Sequence, residues 1–213
     1  MRLPYIMVFV LALAFCAAGL EVELQPGPGD GKDTFVSSAN PTTNYGSHFH
    51  MYVGRSPDTG GALRAFIEFT GLDEYIADGY TCTEAILELE TFAVTSGPAE
   101  VYDVYRVEED WDEDTIIWDY QPAFGGTPVV FEDPWPGDFI VDITPIVAEW
   151  FNGTAEHYGI CIKHENEESE ENGNFGCYSS NDSSSNDRPK LTVTLTGEAV
   201  GSASLGEIKA VFR

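Results

Sequence analysis

Three groups of residues in this 213-residue chain have the types and spacing to do chemistry. The first is the carboxylate-rich run 106–125, RVEEDWDEDTIIWDYQPAFG, which carries Trp111 and Trp118. Asp110, Asp112 and Asp114 alternate as the opening ligands of a calcium loop do. Thr115, however, stands where such a loop needs glycine, and no glutamate stands at its last ligand position. The run reads instead as a tryptophan pair anchoring a loop across a sheet edge, because tryptophan supplies a large buried area. The second group is His48 and His50, which share one face of a strand as two metal ligands do. Such a pair on an exposed strand is more commonly plain surface, so no metal site is expected there. The third group is aromatic and planar polar: Tyr45, Tyr120 and Trp135, with Asn44, Arg64 and Gln121. Sugar rings stack their apolar faces on exposed aromatics and bond their hydroxyls to planar polar side chains. Tyr120 and Trp135 lie in loops beside Pro, Gly and Asp, where a ring is least suited to the core. The competing reading of each ring is packing beneath a loop, and of Arg64 a buried partner for one of the many acids.

Other chemistries lack their residues. No GxSxG is present for a nucleophile elbow. With 36 Asp and Glu, any acid finds a neighbour, so a carboxylate pair says little about glycoside cleavage. No catalytic set and no cofactor is expected; a structural calcium stays an open alternative. The formal net charge of -26 excludes nucleic acid as a partner and works against unassisted binding of a polyanionic glycan.

The elements that must position these residues are strands. Candidate strands run over 33–38, 49–53, 63–70, 81–94, 100–107, 139–143, 158–163, 175–179 and 191–196. Ala85, Leu87 and Leu89 alternate with Glu88 and Glu90, and Val193 and Leu195 alternate with threonines. Turn signals such as Ser96-Gly97-Pro98 separate them. Many short strands without a long helical period predict an all-β, jelly-roll-like sandwich of antiparallel strands. One short capping helix is expected over 144–152, with Thr144 as N-cap, Pro145 in the first turn and Gly153 closing the end.

Residues 1–19 combine Arg2, a short apolar run and small residues, the pattern of a secretory signal peptide. The apolar run is too short to span a bilayer, so no membrane attachment is expected after cleavage. Residues 20–32, rich in Pro, Gly and charge, read as a linker, 33–197 as the domain and 198–213 as a C-terminal tail. That tail, amphipathic and basic at its end, is either frayed or a docking element for a secretion or surface component. Export permits disulfides. Cys161 and Cys177 lie in strands joined by the acidic loop 166–173, which predicts an antiparallel pair bridged by a disulfide, with Cys82 a buried free thiol.

In chain order, DTFVSSANPTTNYGS, YVGR, RAFIEF, AILELETF, YQPAFG, VDITPIVAEWFNGTAEHYGICIK, CYSSND and RPKLTVTLT resemble the disaggregatase-related, or DNRLRE, domain from Asp33 to Thr196. The resemblance implies a secreted β-sandwich of carbohydrate-binding-module type, found beside polysaccharide-degrading enzymes and on large surface proteins, with alginate-like or wall polysaccharides among its ligands. Glu68 and Thr70 depart from the Arg and Asp common around the RAFIEF strand. The expected function is therefore an exported, non-catalytic protein that binds polysaccharide through loop aromatics. The alternatives are a structural or adhesive surface protein and a polysaccharide-degrading enzyme. Asp119, Glu132, Asp133 and Asp138 flank Tyr120 and Trp135, which favours a neutral glycan over a uronate chain.

Overall fold

The computed structural model describes residues 19–56, 59–95, 100–132, 137–168 and 173–197. Residues 1–18, to which all but the last residue of the expected signal peptide belongs, residues 198–213 and Trp135 lie outside the described residues. Among those described, eleven strands and two short helices form an antiparallel β-sandwich. The strands are β1 (Leu20–Leu24), β2 (Lys32–Ser37), β3 (His50–Arg55), β4 (Ala62–Glu68), β5 (Thr81–Thr95), β6 (Val101–Val107), β7 (Phe124–Glu132), β8 (Gly137–Asp142), β9 (Ile160–His164), β10 (Asn174–Tyr178) and β11 (Lys190–Thr196). The helices are α1 (Asp73–Ala77) and α2 (Thr144–Phe151).

The sheet curls in the order β1-β11-β5-β10-β3-β4-β9-β6-β7, with β2 on β4 and β8 on β5. Strand β5 is the bend. It pairs with β11 over 81–88, with β8 over 86–91 and with β10 over 91–95, with a register shift beside Gly176. Inside the curl, alternate residues form one core: Met51 and Val53, Leu63, Ala65 and Ile67, Ala85, Leu87 and Leu89, Leu191, Val193 and Leu195. The period of two that predicts this face is therefore what closes the sandwich. A second, smaller cluster lies on the outer side of β2, β4 and β9, built from Val36, Phe66, Val107, Trp111, Ile116 and Cys161. The long connection 108–123 is its roof.

Helix α2 forms where expected and buries Ile146, Val147 and Trp150, each worth about 2 kcal/mol. Its N-cap is Ile143, not Thr144. The Thr144 hydroxyl donates to Asp142 Oδ1 at 2.5 Å and accepts the Ala85 amide at 2.8 Å, tying the helix start to β5.

Two expectations are corrected. Residues 20–32 are not all linker, since β1 pairs along β11 from Leu20↔Leu195 to Leu24↔Leu191 and buries Val22. Leu20, Val22 and Leu24 alternate there, and the Pro- and Gly-rich turn begins only after them. The Cys161–Cys177 disulfide is absent: all three described cysteines are free and buried. The acidic segment after β9 is not a hairpin loop but a crossover, and β3 and β4 lie between β9 and β10. Cys161 faces the outer cluster and Cys177 the main core.

Candidate functional site

The roof 108–123 is assembled from its own acids. Asp112 forms a turn: its Oδ1 accepts the Asp114 amide at 2.9 Å and its carbonyl accepts the Ile116 amide at 2.9 Å. Asp110 caps the Trp111 amide at 2.9 Å and meets Lys32 at 3.1 Å, which holds its carboxyl below the usual carboxylate range. Trp111 is 8 % exposed, lies against Phe66 and donates from its indole nitrogen to Tyr158 O at 3.0 Å. Asn44 crosses from the neighbouring loop and donates to Glu113 O at 2.7 Å and Ile116 O at 2.8 Å. The loops approach so closely that a Cβ on Gly46 would sit 2.3 Å from Glu113 O, so glycine is required there.

Arg64 rises from β4 beneath this roof. Its Nε and Nη2 donate to the two carboxylate oxygens of Glu167 at 2.7 and 2.6 Å, and Nη1 donates to Gln121 Oε1 at 2.8 Å. Its guanidinium lies 4.4 Å from the Trp118 ring centroid and 5.3 Å from that of Phe124. The structure thus brings Arg64 and Gln121 together, but as partners of Glu167 and Trp118 carbonyl rather than as free donors. Asn44 is likewise committed to the loop. Tyr120 is the most exposed ring of the roof, at 80 %. With Gln121 it lines an open cleft of about 520 Å³ whose other walls include Glu109, Asp110 and Asp112.

Tyr45 lies elsewhere. It stacks on Phe35 at 4.2 Å and borders a cleft of about 320 Å³ with Tyr52, Ser37, Asn40, Ser56 and Asn174. Among the described residues no charged side chain lines that cleft.

Tyr52, Phe92 and Tyr178, which sequence reasoning missed, sit with His50 on the outer side of β3, β10 and β5. Met51 and Val53 point into the core, so His50 and Tyr52 point out, and Phe92 and Tyr178 join them. The alternation in HMYVG was the available signal. The His50 amide donates to His48 Nδ1 at 3.2 Å, which ties the two histidines to each other locally. Among the described residues no group of three or more His, Cys, Asp or Glu side chains is placed to hold a metal ion, and no helix is long and apolar enough to cross a membrane.

One acid pair, Asp33 buried and Glu113 half-buried, ties these regions together. Asp33 is 1 % exposed and accepts the Ser180 amide at 2.8 Å and its hydroxyl at 3.1 Å. Burial pushes its carboxyl up to about 6, and burial together with the Asp33 charge pushes Glu113 in the roof up to about 7.

The geometry is that of a β-scaffold carrying one cleft walled by carboxylates beside an exposed ring and another walled by rings, amides and hydroxyls. No curated protein matches this chain. A family model does match residues 30–195, covering β2 to β11 and every cleft just described, and by that match the chain belongs to carbohydrate-binding module family 96.

Proposed function

We propose that this protein is an exported, non-catalytic module that binds a neutral polysaccharide in the cleft between Tyr45 and Tyr52. The observation that carries this reading is the lining of that cleft. Tyr45 and Tyr52 supply half-buried rings and the exposed Asn40 an amide, over a buried floor that includes Phe35, Ser37 and Asn174, and no carboxylate is among the described lining residues. Stacking rings beside neutral hydrogen-bonding groups suit a glycan hydroxyl array. The cleft beside Tyr120 has the opposite character, since a uronate entering it meets Glu109, Asp110 and Asp112. Tyr120 and Gln121 are therefore assigned a secondary contact, open to a ligand only through the exposed phenol ring.

The leader-like residues 1–19 support export, and the narrower likeness to the disaggregatase-related domain supports a polysaccharide at a cell surface. The C-terminal tail is assigned to docking with a secretion or surface component. The test is titration calorimetry with a neutral glucan, a neutral mannan and alginate, each with and without calcium. Binding of a neutral polymer, weakened several-fold by Tyr45→Ala with the fold intact, is the expected result. Calcium-independent alginate binding, or new reducing ends released from any of the polymers, contradicts it.

A further inference from the structure

The cleft at Tyr52 does not end at Tyr52. Strand parity sets His50 and Tyr52 of β3 on the outer face, and the register places Tyr178 opposite His50 and Gly176 opposite Tyr52 on β10. Phe92, beside the register shift of β5, crosses over Gly176. A Cβ at residue 176 would meet the Phe92 ring at 2.5 Å, so the absent side chain lets that ring lie down on the sheet. The rings then touch in succession. Tyr52 and Phe92 are 5.9 Å apart, Phe92 and His50 4.1 Å, Phe92 and Tyr178 5.2 Å, and His50 and Phe49 4.3 Å between centroids. Phe49, at the far end, is 52 % exposed.

This face carries its aromatics without a covering cluster: among the described residues no buried cluster forms over it, as one does over β2, β4 and β9. Four of the five rings are phenyl or phenol groups, and the fifth is the His50 imidazole, whose pKa burial lowers. The acid that His50 senses, Asp182, is buried with its Oδ1 on the Ser184 amide. Glu90 lies on the same outer side of β5, two residues before Phe92, and in a chain of net charge -26 such an acid beside an aromatic strip disfavours anions and leaves it open to neutral ligands. It is also long. From β3 to β5 across β10 is about 10 Å, and from Tyr52 to His50 along β3 about 7 Å.

We infer that the glycan site is a track rather than a pocket: it runs from the Tyr45 cleft over Tyr52 onto Phe92, His50, Tyr178 and Phe49, and it takes the interior of a neutral polysaccharide chain, several sugars at once. This rests on the assignment of the Tyr45 cleft to a neutral glycan and adds a second, separable subsite. Continuity decides for a glycan, because Tyr52 both lines the neutral cleft and begins the strip.

The test compares disaccharides with hexasaccharides of the manno- and cello- series by calorimetry, on the full chain. The hexasaccharide is expected to bind more tightly than the disaccharide. Phe49→Ala and Tyr178→Ala should each weaken hexasaccharide binding about five-fold and leave the disaccharide unchanged, whereas Tyr45→Ala weakens both. Phe49 is exposed, so its variant keeps the test valid if the Tyr178 variant unfolds. Unchanged hexasaccharide affinity in the strip variants, with Tyr45→Ala still damaging, overturns the track and spares the cleft. Absence of binding to every neutral oligosaccharide overturns both. A sedimentation shift from dimer to monomer in the strip variants, without loss of sugar binding, makes the strip a contact between copies and overturns the track as well.

Discussion

The two outer faces of the sandwich began from the same strand parity and ended differently. On β2, β4 and β9 the outward residues Val36, Phe66 and Cys161 are covered by the connection 108–123, which contributes Trp111 and Ile116 and seals Arg64 against Trp118. On β3, β10 and β5 the outward residues His50, Tyr52, Tyr178 and Phe92 are half-buried by one another. The covered face is aliphatic and aromatic, and leaving it in water would forfeit about 25 cal/mol for each Å². Three of the four rings on the open face have a polar tip that water satisfies. The lesson is that an aromatic outer face tolerates solvent when its rings are amphipathic, and such a face is then available to a ligand that offers both apolar faces and hydroxyls.

This contrast can be broken experimentally. Trp111→Ala removes the roof's anchor and leaves a void above Phe66; it should cost about 3 kcal/mol in denaturant unfolding, while Phe49→Ala on the open face should cost almost nothing. A comparable loss from both would mean that the faces are not distinguished by cover. Next in size is the charge beneath the roof. Arg64→Ala strands Glu167, whose side chain is 13 % exposed, and should cost about 2 kcal/mol. Arg64→Lys should recover little, because a single ammonium cannot make the forked contact to Glu167 and reach Gln121 together.

A smaller effect concerns the acid pair under the roof. Asp33 and Glu113 have carboxyls raised in the folded state to about 6 and about 7. A raised folded value means that protonation favours folding: the associated stability is full below the ordinary carboxylate range and is lost as pH rises through these two values. The melting temperature should therefore climb on acidification from about pH 8 to about pH 5, and Glu113→Gln should flatten part of that slope while raising stability at the alkaline end. A melting temperature that falls over this window would contradict the raised carboxyls of Asp33 and Glu113. The smallest expected effect is of reductant. With Cys82, Cys161 and Cys177 free, dithiothreitol should leave the melting temperature where it is. A drop of several degrees would restore a disulfide among them.

Much of this was legible in the sequence, for a physical reason. Side-chain alternation in 85–90 and 191–196 is a local property of an extended chain packed on one side, so the strands, the inward face and the sandwich class follow from it. The spacing of Ile146, Val147 and Trp150 behind Pro145 likewise specifies α2, and the two tryptophans of 106–125 announce an anchored loop. Strand partners are different, because they are set by residues far apart in sequence. A nine-residue acidic segment after β9 looks the same whether it turns back as a hairpin or crosses the sandwich, so only the sheet order separates Cys161 from Cys177. The same limit hid the commitment of Arg64 to Glu167, 103 positions away, and the meeting of Phe92, His50 and Tyr178 from three strands. Sequence determined which residues could be on a face; the tertiary register decided which faces those residues share, because contacts between strands depend on pairing that no local pattern encodes.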